Sequence, residues 1–439
     1  MKKLMILTTM IFTLSLLSCN STEPPINGKE LTLKLEDVSC TEAWITLTTN
    51  LQLPANVTLK QNNQTRSTIN LSTADTLLYI NSLKPNTSYQ YQVFSIPQSD
   101  RQNPAFSNEL NITTMDTTSN NLSFESFTFG GQAGSCALYD VAIIDENNIW
   151  AVGEIYLLDS LGQPDPNAYN TVHWDGNQWE LKRIKTNACG GVTYPPIKTI
   201  FAFSSNDILF AHIDGSISHY NGIEFKNDCS LIAQLNGSAN KIWGNEDGIY
   251  VVGDNGFIAH RSTSGVWSKI ESRTDLQFLD IYGTIDDKTG EKQILAVCTR
   301  NLPLDKGIYK IQGTTATEIS SSPIQWELYA LWFIADRHYY VIGNGIYEKK
   351  YLSEPSWKDN GFDVTHYATT GIGGNDLNDV FISGAFGEFL HFNGVAWKSY
   401  INETGKFSGS YGGIAVKNNL VVTVGYEGAL AKILIGYRK

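Results

Sequence analysis

The chain has 439 residues and a formal net charge of −12 at neutral pH. A single hydrophobic core rarely grows past ~250–300 residues, so two or three domains are expected. The acidic balance, with no concentrated basic patch, argues against nucleic acid and anionic lipid headgroups as partners.

Residues 1–18 open with Lys2 and Lys3, run apolar from Leu4 to Leu17, and lead through Ser18 into Cys19. The run is too short to span a bilayer comfortably, which takes ~20 apolar residues, and it has the layout of a secretory signal. The small residue, the cysteine and the polar tail after it resemble the signal of bacterial lipoproteins. That resemblance implies a diacylated Cys19, a place in the bacterial envelope as an outer-membrane lipoprotein, and membrane contact through the lipid alone. The other reading is a plain signal peptide with a chance cysteine. Residues 19–29, with Pro24-Pro25 and Gly28, read as a tether.

Residues 30–116 alternate apolar and polar through seven short runs separated by turn residues, from LTLKLEDV to ELNITTM. That spacing predicts a β-sandwich. Trp44 sits early in the second run, and Leu83, Pro85, Tyr89 and Tyr91 lead into the sixth. Together these resemble the fibronectin type III module, which implies a spacer with Trp44 in its core. No Arg-Gly-Asp triplet is present to support adhesion of the integrin type.

After a linker over 117–121, the stretch NDVFISGAFGEFLHFNGVAW (378–397) sets the pattern for the rest. An apolar strand, an alternating strand and an Asn-Gly turn lead to a tryptophan, a strong hairpin signal. Aligning Trp179, Phe225, Trp267, Trp357 and Trp397 gives intervals of about 40–50 residues, with one interval twice as long hiding a divergent copy over 278–319. Copies starting near Leu138, Lys198, Ser238, Phe278, Trp326, His366 and Ser410 predict a seven-bladed β-propeller over 122–439. The last copy has three strands, and residues 122–129 (LSFESFTF) are expected to supply its fourth, removing an open edge. The fold class is therefore all-β, a fibronectin type III-like sandwich followed by a propeller. The IWAVG and HWDGNQW pieces are similar to those of secreted propellers of Bacteroidota-like bacteria, themselves distantly similar to photosystem II assembly-factor propellers. This resemblance implies a fold and no activity.

No nucleophile elbow, zinc-protease helix motif or phosphate loop occurs, and the blades lack the signatures of sialidase, kelch, WD-type and quinone-dependent propellers. No catalytic residue, metal site or cofactor is expected. His173, His219, His260 and His391 recur at one third-strand position, too far from the axis to converge on an ion, and read as structural. Trp150, Trp243 and Trp332 read as core residues of inner strands. Cys189 and Cys229 lie in successive inter-blade loops and either pair or stand as separate thiols.

Two loops depart from the repeat, 154–169 and 185–196. Long loops in compact domains are often functional. Both belong to the same propeller face, bringing together Tyr156, Asp159, Asp165, Tyr169 and Tyr194 as a candidate binding site, with aromatic faces beside carboxylates. The expected function is that of an anchored extracytoplasmic binding protein, monomeric and non-enzymatic, taking a glycan, peptide or protein partner. The alternatives are a polysaccharide-active enzyme and a scaffold or assembly factor of an envelope complex.

Overall fold

The computed structural model describes residues 31–96, 104–186, 190–285 and 290–439, which fall into two compact units. The signal, Cys19 and the tether lie outside the described residues. In the first unit, alternation builds two antiparallel sheets. One holds Leu31–Val38, Ala43–Thr49 and Asp75–Ile80; the other holds Gln64–Leu71, Ala55–Gln61, Ser88–Ser95 and Leu110–Thr113. Along Ser88–Ser95 every second residue (Tyr89, Tyr91, Val93 and Ser95) is buried, the period expected of a strand with one face in a core. Trp44 is fully buried and lies against Tyr79, ring centroids 5.8 Å apart.

The second unit holds seven four-stranded antiparallel sheets. Their innermost strands are Ala137–Asp145, Ile197–Ser204, Ala239–Asn245, Gln277–Ile285, Leu328–Ile334, Thr369–Asp376 and Gly409–Lys417, blades 1 to 7 in order. Each inner strand packs beside the next, and that of blade 7 packs beside that of blade 1, so the ring closes. Second strands such as Asn148–Ile155 and Asp379–Gly384 are buried almost throughout. Apolar residues on both faces suit a strand sandwiched between neighbouring blades. The cores accordingly lie between blades, one cluster at each of the seven interfaces. In blade 7 the outermost strand is Leu122–Gly130, paired with Leu430–Arg438 from Leu430↔Gly130 to Arg438↔Leu122.

Three of the four repeated histidines brace their own blades by hydrogen bonds, and His260 stacks on Tyr250 with centroids 4.3 Å apart. His173 Nε2 lies 3.0 Å from Asn148 Oδ1, His219 Nε2 2.7 Å from Asp207 Oδ1, and His391 Nε2 3.0 Å from Asp379 Oδ1. Each bond ties a third strand to the start of the second. Trp150 is on the second strand of blade 1, not on an inner strand, and stacks on His173 with centroids 4.0 Å apart. Its slot is set by the pairing Trp150↔His173, a cross-strand neighbour that periodicity alone does not distinguish.

Candidate functional site

All seven inner strands break register at the same place. Opposite each second strand the ladder skips one residue: Tyr139, Lys198, Asn240, Leu279, Tyr329, Thr370 and Gly412. Each is the extra residue of a β-bulge, a device that re-aims side chains at rims and binding sites. All seven line a central channel of about 400 Å³. They stand near the start of the inner strands, so they ring the mouth on the face where second strands end and third strands begin.

One residue further along, the seven positions are Asp140, Thr199, Lys241, Asp280, Ala330, Gly371 and Gly413. Lys241 Nζ donates to both oxygens of Asp140 at 2.9 Å. Asp140 also accepts from Thr199 Oγ1 (2.7 Å) and from the backbone N–H of Ile200 (3.2 Å). Burial opposes the Lys241 charge, yet Asp140 and then Asp280 raise its proton affinity above the usual lysine range. Asp280 accepts from the Leu331 N–H at 3.0 Å. Burial pushes its carboxyl up to about 6, against the pull of Lys241. Gly413 lets blade 7 close on blade 1, since a Cβ there would lie 2.7 Å from both Asp140 Cα and Tyr139 O. Deeper still, Trp243, Tyr282 and Trp332 line the channel.

At the rim, Lys198 Nζ lies over the Tyr139 ring, 4.1 Å from its centroid. Burial lowers the Lys198 proton affinity, with Glu154 and Asp254 opposing. The Tyr139 and Tyr156 hydroxyls both donate to Glu154, the latter at 2.7 Å. The bond to Glu154, then burial, raises Tyr156 to about 12.

The five residues expected from the enlarged loops divide into separate settings. Tyr156 joins the rim through Glu154. Asp165 and Tyr169 meet at Arg183, which pairs with Asp165 at 2.5 Å and lies 3.9 Å from the Tyr169 ring centroid. Backbone donation from Asn167 and then Arg183 hold the Asp165 carboxyl below the usual carboxylate range. Arg183 also lines a small cavity of about 260 Å³ with Tyr194, Phe225 and Asn227. Asp159 is turned into its own loop, accepting from the N–H groups of Leu161 (2.8 Å) and Gln163 (2.9 Å). Tyr169 is the first residue of a strand, Tyr169–Trp174, so the loop is shorter than its sequence suggested. Arg183 and the bulged ring were missed. The available signal for the ring was three charges, Asp140, Lys241 and Asp280, at one position of otherwise apolar inner strands.

No protein-family model matches the chain, and no curated protein matches it. Among solved structures, the chain is similar to YCF48 bound to a D1 peptide, at 16% identity and a TM-score of 0.53, over 74% of this chain and 99% of that one. It is also similar to YCF48 from Cyanidioschyzon merolae, at 13% identity and a TM-score of 0.50, over 71% and 98%. What it shares with them is the β-propeller fold.

Among the described residues, no group of three or more histidine, cysteine, aspartate or glutamate side chains is placed to hold a metal ion. Cys40, Cys136 and Cys298 are free thiols and Cys229 is disulfide-bonded; Cys189 lies outside the described residues.

Proposed function

We propose that the propeller is a binding module that takes an extended peptide segment of a protein partner at the channel mouth. The observation that carries this reading is the ring of seven bulges, which turns Tyr139, Lys198, Asn240, Leu279, Tyr329 and Thr370 toward one opening. Tyrosine hydroxyls, an amide and an ammonium suit peptide backbone and side-chain groups, and tyrosine rings add apolar area at low entropic cost. The peptide bound by the solved YCF48 propeller supports the same class of ligand. The Tyr156, Asp165, Tyr169 and Tyr194 side chains on the enlarged loops, with Asp159 shaping one loop, extend the proposed surface outward from the rim.

The reading includes an address. Cys19 carries the lipid anchor on an outer membrane, and the first unit, a fibronectin type III-type module, serves as a spacer. The buried Trp44 and the three- and four-stranded sheets support that module; the motif around Cys19 supports the anchor. A peptide-display selection on the full chain tests the binding reading. Peptides recovered on the wild type should lose about tenfold or more in affinity on Lys198→Ala/Tyr329→Ala at an unchanged melting temperature. Retained affinity would place the site elsewhere.

A further inference from the structure

Four charged side chains line the channel, two carboxylates and two ammonium groups. They are not evenly matched. Asp140 takes both close bonds of Lys241 and two further donors, so its oxygens are satisfied. Lys198 stays at the rim over Tyr139, within the fields of Glu154 and Asp254. Asp280 receives backbone N–H groups and only the long-range field of Lys241. Among the described residues no side chain donates a hydrogen bond to it.

Asp280 also stands where the ring changes from charged to small side chains. Its neighbour on one side, in blade 3, is Lys241; on the other, in blade 5, the same position is Ala330, and blades 6 and 7 carry Gly371 and Gly413. Below lie the rings of Tyr282 and Trp332. A carboxylate above aromatic rings, at the end of a polar funnel on a chain of charge −12, attracts positive charge.

We propose that the channel admits the basic side chain of a bound peptide, lysine or arginine, and that Asp280 is its counter-ion. This rests on the peptide-binding reading above and adds its chemistry. The methylene stem passes between Tyr139 and Tyr329 at the rim. The cationic head replaces the missing partner of Asp280, in front of the small residues of blades 5 to 7. Because burial keeps the Asp280 carboxyl near 6 in the free protein, with Lys241 and Asp140 the charged groups facing it, the cation favours the ionised form and binding releases a proton in mildly acidic solution.

The test is a selection of random heptapeptides on the full chain, followed by binding of the recovered peptides to wild type and to Asp280→Asn. The expected peptides share a lysine or arginine. Replacing it by norleucine should weaken binding about tenfold on the wild type and less than twofold on Asp280→Asn. Wild-type affinity should rise between pH 5 and 7, and that rise should vanish in the variant. Peptides that need Lys198 and Tyr329 but carry no basic residue, or that bind Asp280→Asn as tightly as wild type, would overturn the inference and leave the peptide reading standing. Recovery of no peptide would overturn both. The norleucine substitution on the wild type keeps the test valid even if Asp280→Asn fails to fold.

Discussion

Blades 1 to 4 and blades 5 to 7 share one backbone and differ in chemistry at a single ring position. On one side stand Asp140, Thr199, Lys241 and Asp280; on the other, Ala330, Gly371 and Gly413. The bulge preceding that position is present in all seven. The bulge is therefore a property of the repeat, and the side chains that follow it are what individual blades contribute. Where small residues stand, strands approach closely; where charged residues stand, a polar network links blades 1 to 3. A ring built from repeats becomes a directional site by such asymmetry.

Erasing the difference from the small side should have the largest effect. Gly413→Val places carbon against Asp140 Cα and Tyr139 O, both backbone atoms that cannot give way. A loss of roughly 3–5 kcal/mol, or failure to fold, is expected in urea denaturation, since blade 7 can no longer close on blade 1. Erasing it from the charged side comes next. Asp140→Ala strips Lys241 of its close partner and leaves Thr199 and the Ile200 N–H without their acceptor. Removing one member of a buried pair costs about 3 kcal/mol.

Asp280→Asn should act in the opposite direction. The folded-state carboxyl is raised from 3.8 to about 6. A raised acid holds its proton in the folded state while the unfolded state has lost it, so this group's contribution falls as pH rises from about 4 to 6. The asparagine removes that penalty. It should stabilise the chain by roughly 2–3 kcal/mol at pH 7, the gain shrinking to nothing near pH 4. Buried histidines such as His212, pushed down to about 4 by burial, titrate alike in both proteins and cancel in the difference. Smallest of all, Lys198→Ala/Tyr329→Ala should change stability by less than ~1 kcal/mol, because both side chains are half-buried at the rim. Guanidine melts of the two proteins check this.

Much of the propeller was legible in the sequence because its signals are local. Apolar second strands, Asn and Asp turns and a closing aromatic recur with each blade, and each has a direct cause in burial or backbone conformation. The site was less legible. A bulge adds one unpaired residue, and only the partner strand shows which residue that is. Tyr139 and Lys198 read as ordinary strand residues until their strands are set against Val152–Gly153 and Ala211–His212, where each is left without a partner in the ladder. The gathering of Asp165, Tyr169 and Tyr194 around Arg183 was hidden for a similar reason. Arg183 follows an outer strand and carries no motif; only folding brings it under the enlarged loop. Charged residues at equivalent inner-strand positions were the one visible trace of the channel chemistry.

The central claim, that ligand enters at the ring of bulges, is tested most directly by photo-crosslinking. A benzoylphenylalanine at position 329 stands at the mouth. A second at position 223, where Ile223 is 91% exposed in a turn between third and outer strands, stands at the opposite end of its sheet. With a peptide recovered by selection, the account predicts a crosslink from position 329 and none from 223. A crosslink from 223 alone would contradict it.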